Sequence, residues 1–151
     1  MIDHLNKLEE NRKALLSKIE HLTPEQYNEI PEGFSNNVIW NLGHILLSGE
    51  GMLYKNSPFE RPELELNKSN YGRGSKPGAF VSEDEINLIR ESMLRSVQFY
   101  KAAAGLDQSI EGAALTIAPS VQIISEESIQ FLFFHEEMHY NKISKLIEKV
   151  S

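Results

Sequence analysis

Apolar residues recur at helical spacing in four stretches of the chain. In the first, from about Ile2 to His21, the positions Leu5, Leu8, Leu15, Ile19 and Leu22 form one stripe with charged residues between them. Thr23-Pro24-Glu25-Gln26 then reads as an N-cap, a proline at N1 and a glutamine at N3, which opens a short extra turn. A second long helix is predicted from near Ser35-Asn36 to near Lys55, before Asn56-Ser57-Pro58. It carries two apolar faces. Val38, Leu42, Ile45 and Leu53 form one, and Trp40, His44, Leu47 and Gly51 the other. The third helix opens at Ser82-Glu83-Asp84-Glu85, a capping box with acid in the first turn. Its stripe is Ile86, Met93, Val97, Tyr100 and Ala104, and Gly105 is its expected stop. The fourth opens near Ser125-Glu126-Glu127 and runs to about Lys149.

Two long connections separate these helices. Residues 56–81 are rich in proline and glycine, including Tyr71-Gly72-Arg73-Gly74-Ser75-Lys76-Pro77-Gly78. Residues 106–124 hold Leu115-Thr116-Ile117 and Val121-Gln122-Ile123-Ile124 around Pro119, which read as short extended pieces. Four long amphipathic helices in a chain of 151 residues predict one all-α domain over 1–151, a four-helix bundle with long connections.

Composition narrows the function classes. The chain has no cysteine, which excludes disulfides, thiolate metal sites and a cysteine nucleophile. A net charge of −7 argues against binding nucleic acid through a basic face. No apolar run suggests a membrane span, and the first residues lack the apolar core of a signal peptide. The simplest expectation is a soluble cytoplasmic protein.

The candidate chemistry lies in the fourth helix, at His135-Glu136-Glu137-Met138-His139. Two imidazoles four residues apart on a helix share a face and can present two ring nitrogens to one transition metal. His44, on the second helix, is a third ligand candidate from another element. The plain alternative is that each histidine is a hydrogen-bonded core residue, and the i, i+4 spacing does not separate the two. H-E-x-x-H also matches the zincin metalloprotease signature. The extended form fails here: Lys142 stands where its glycine would be, and Lys145 where its third histidine would be. A third ligand therefore has to come from upstream. Glu136 is a candidate general base, or a partner that orients His139. Asn41, one turn before His44, is a second candidate partner, or a solvent-facing residue.

A histidine in the second helix, within Asn37-Val38-Ile39-Trp40-Asn41-Leu42-Gly43-His44, followed far downstream by His135-Glu136-Glu137-Met138-His139-Tyr140-Asn141-Lys142-Ile143, resembles the DinB-like (YfiT-like) family of metalloenzymes. The resemblance spans nearly the whole chain in length, helix count and helix order. It implies a four-helix bundle, often dimeric, that holds a divalent metal through three histidines, here His44, His135 and His139. Many members read H-x-x-x-H-R-G-Q-I in the last helix. This chain departs from that run at Tyr140, Asn141 and Lys142 and keeps the three ligand positions.

Two functional readings follow. In the first, three neutral imidazoles with an open position hold Zn²⁺ or Ni²⁺ rather than a hard cation. Such a metal activates water or takes a thiolate, and the resembled family includes thiol-dependent transferases. The implied activity is transfer of a small-molecule thiol or hydrolysis, with loop 56–81 covering the site and contributing Tyr71 or Arg73. In the second reading the chain is a non-catalytic bundle whose metal is structural, regulatory or absent. Surplus apolar surface on the second and fourth helices predicts a homodimer in either case.

Overall fold

The computed structural model describes residues 2–54, 66, 68–103 and 126–151. Six helices lie within them: α1 (Ile2–Ile19), α2 (Pro24–Asn28), α3 (Val38–Tyr54), α4 (Lys68–Tyr71), α5 (Glu83–Ala103) and α6 (Glu126–Val150). The described residues include no strand, and none of their helices is long and apolar enough to cross a membrane. The class is all-α, as the periodicity predicts. The expected stop at Gly105 and the expected extended pieces at 115–117 and 121–124 lie outside the described residues.

Local chemistry sets the helix starts. The Thr23 hydroxyl accepts from Gln26 N at 3.2 Å and the Gln26 side chain accepts from Thr23 N at 2.9 Å, a complete capping box with Pro24 at N1. Asn37 Oδ1 accepts from Trp40 N at 2.9 Å and caps α3. Ser82 Oγ accepts from Glu85 N at 3.2 Å at the start of α5. Three acidic residues in the first turn of α5 and Lys149 in the last turn of α6 complement the helix dipoles.

The four long helices pack on one another around two apolar clusters, each drawing residues from all four. α3 packs on α5 and α6, and α1 packs on the same two. α2 and α4 lie against α3. The stripes read from the sequence are buried: Leu5, Leu8, Leu15, Ile19 and Leu22 from the first, and Ile86, Met93, Val97 and Tyr100 on α5. On α6 the buried stripe is Leu132, Glu136, His139, Ile143 and Leu146.

Two features differ from the sequence reading. The second apolar face of α3 is not a free surface. Residues from Val38 to Leu46 are all buried, and α4 covers the outer side. Tyr71 lies so close to Gly43 that a Cβ there would sit 2.4 Å from its Cδ1, so the contact requires glycine. A helical wheel cannot register a cover that arrives from 28 residues downstream.

The second difference is Arg12, which is fully buried. Its Nε donates to Glu136 Oε2 at 3.2 Å and its Nη2 to Glu136 Oε1, a two-pronged pair. Nη1 donates to Met93 O and Ser96 Oγ, each at 2.7 Å. The Tyr100 ring lies 5.6 Å from the guanidinium carbon. Burial acts to lower the Arg12 pKa, but the Glu136 carboxylate with Tyr100 and Tyr140 more than offsets it, and the net direction is up. One ion pair thus ties α1, α5 and α6 together across the core.

Candidate metal centre

α3 and α6 bring His44, His135 and His139 together. Each offers one ring nitrogen, and the three nitrogens all lie within 4.8 Å of one another. The ring centroids are 5.4 Å apart for His44–His135, 4.9 Å for His44–His139 and 4.6 Å for His135–His139. A tetrahedral ion with bonds near 2 Å sets nitrogens about 3.3 Å apart, so the rings would draw in slightly to share one.

The outer hydrogen bonds fix which nitrogen faces inward. His44 Nδ1 lies 2.8 Å from the carbonyl of Tyr71, which only accepts, so Nδ1 carries the proton. His44 Nε2 then keeps its lone pair, and the Ser48 hydroxyl lies 3.1 Å from it. His139 Nδ1 lies 2.8 Å from Asn41 Oδ1. The amide of Asn41 is held in that orientation, because its Nδ2 donates to Asn37 O at 2.8 Å and to Asn36 Oδ1 at 3.0 Å. Nδ1 of His139 is therefore the donor and its Nε2 the free acceptor. His135 differs: its Nδ1 is buried with no hydrogen-bond partner among the described residues. Such an orphan costs about 1–3 kcal/mol. A ligand that needs the His135 ring would offset the strain of holding it there.

Burial pushes the three pKa values down. His139 falls to about 3, first by burial, then through His135, His44 and Lys142. His135 falls by burial, then through His44, with Glu136 opposing and Lys142 adding. His44 falls by burial, with the Tyr71 carbonyl opposing and Lys142 adding. All three rings are neutral at neutral pH, the state in which imidazole is a ligand. The Trp40 indole stacks on His44 at 4.7 Å and 10° from parallel and screens that side from water. These donors, preset tautomers and one orphaned nitrogen fit a divalent transition ion.

The structure also gives the other candidates their places. Glu136 is 1% exposed, and its oxygens meet Arg12 and the Tyr140 hydroxyl, the latter at 2.5 Å. It does not bond to His139. That partner is Asn41, fully buried rather than solvent-facing. Burial, with Glu136 next, raises the Tyr140 pKa, so its phenol stays protonated and donating. The loop reaches the site through the Tyr71 backbone carbonyl, while Arg73 and Lys76 are exposed. The cation whose charge reaches all three rings is Lys142. A cavity adjoins the two residues that hold His44, lined by Trp40 and Tyr71 with Asn70, Phe80, Val81 and Glu85. Phe131, Phe134 and Met138 are exposed on the outer side of α6.

A sequence model described as the DinB superfamily matches residues 7–143. No curated protein and no solved structure gives a match.

Proposed function

The chain belongs to the DinB superfamily, and from that premise we propose that it holds a divalent transition ion, Zn²⁺ or Ni²⁺, through His44, His135 and His139. It acts there on a small molecule, by transfer of a thiol or by hydrolysis. The observation that carries this reading is the convergence of three neutral imidazoles from two helices within 4.8 Å. A metal so held supplies a Lewis-acidic position for an exogenous ligand.

The chain's own residues do the rest. His44 and His139 bind through Nε2, because Tyr71 O and Asn41 Oδ1 keep the proton on Nδ1. Trp40 excludes water from one side of His44. Three protein ligands with an open position are the form of site that supports catalysis, where a fourth protein ligand would make it structural. Glu136 is engaged by Arg12, so the reading assigns it the bracing of α6 rather than proton transfer. The exposed stripe Phe131, Phe134 and Met138 supports a homodimer through α6. Light scattering at micromolar concentration checks it, and a mass near 17.2 kDa would remove it.

The test is metal-loaded protein assayed with thiols and small electrophiles beside His135→Ala. Turnover that depends on His135 is expected. Equal turnover in both would take the site out of the chemistry.

A further inference from the structure

Every group that holds the three imidazoles is neutral. His44 leans on a backbone carbonyl and His139 on a carboxamide. Of the two carboxylates between His135 and His139, Glu136 is neutralised by Arg12 in the core and Glu137 is exposed. Among the described residues no carboxylate is hydrogen-bonded to the three imidazoles. Lys142 follows His135 by seven residues and His139 by three on α6, which puts it on the same helix face. It is exposed, and among the described residues it has no ion pair or hydrogen bond.

Resting on the metal-site reading above, we infer that Lys142 is a specificity-determining residue: it engages the anionic group of a small substrate whose other end reaches the three histidines. Two arguments support this. The helix rise places Lys142 about 4.5 Å along the axis from His139 and about 10 Å from His135, a span that a short substrate bridges. The chain carries −7 overall, which repels small anions at long range, so a site that takes one needs a local cation.

The experiment loads the protein with Co²⁺, whose visible spectrum reports ligand exchange, and titrates two probes. 3-Mercaptopropionate and 3-mercaptopropionamide carry the same sulfur and differ in charge. The native chain binds the carboxylate more tightly. Lys142→Gln cuts that preference about two- to fivefold, the scale of one solvent-exposed ion pair. The same change leaves the amide's affinity as it was. Lys142→Glu cuts the preference further, and Lys145→Gln, one turn on, leaves it unchanged. An undiminished preference in Lys142→Gln, with cobalt bound, overturns this inference alone. Failure of the native chain to take up cobalt overturns it together with the metal-site reading.

Discussion

Replacing Arg12 with methionine should destabilise the protein more than any single surface change, because it strands a charge. Glu136 is 1% exposed and Arg12 is its only cationic partner among the described residues. The substitution also leaves Met93 O and Ser96 Oγ without their donor. Breaking one side of a buried pair costs about 3–5 kcal/mol. With a urea m-value of about 2 kcal/mol/M, the midpoint should fall by roughly 1.5–2.5 M. Removing both charges, as Arg12→Met with Glu136→Met, should recover most of that loss, since an apolar pair of similar volume is often neutral or stabilising by about 1–4 kcal/mol. Urea unfolding followed by circular dichroism on the two single variants and the double variant completes the cycle. A loss below about 1 kcal/mol in Arg12→Met would refute the reasoning, as would additive losses in the double variant.

Three further outcomes are expected. Asn41→Leu removes the acceptor that holds the His139 tautomer, and competition with a chelator should show metal affinity down by about 10–100-fold; unchanged affinity would leave Asn41 with packing alone. Gly43→Ala drives a methyl into the Tyr71 ring, whose carbonyl holds His44, and thermal unfolding should show a loss of about 1–3 kcal/mol; a neutral change would mean that α4 is not anchored there. Glu9 is held down at about 2 from 4.5 by Lys101 and then Lys13. A depressed carboxylate pKa gives stability that is full above the unfolded value and is lost as pH falls from about 5 to 2. Lys101→Met should flatten that acid limb and remove about 1 kcal/mol at pH 7, discounted for partial exposure; an unaltered limb would contradict it.

Much of this was legible in the chain. Period 3.6 locates α1, α3, α5 and α6, and Thr23 with Gln26 marks the start of α2. His44, His135 and His139 were readable as candidates because i, i+4 spacing alone fixes a shared face. The remainder depends on contacts between distant residues. Arg12 sits at the stripe position between Leu8 and Leu15, and Glu136 lies on the stripe of α6. Two opposite charges at core positions of two helices were the available signal for their pairing. Asn41 is readable as a candidate partner from its place one turn before His44, but not the ring it holds, which lies 98 residues away. α4 has four residues, too few for periodicity to show, and with it went the cover over α3 and the carbonyl that sets His44.

The most direct measurement is the metal content and affinity of protein purified without a histidine tag. Native chain and His44→Ala, His135→Ala and His139→Ala would be titrated with Zn²⁺ and Ni²⁺ against a coloured chelator. One equivalent per native chain is expected, with tight binding lost in each variant. One equivalent held with equal affinity by all four proteins, or by none, would contradict a metal centre built from these three side chains.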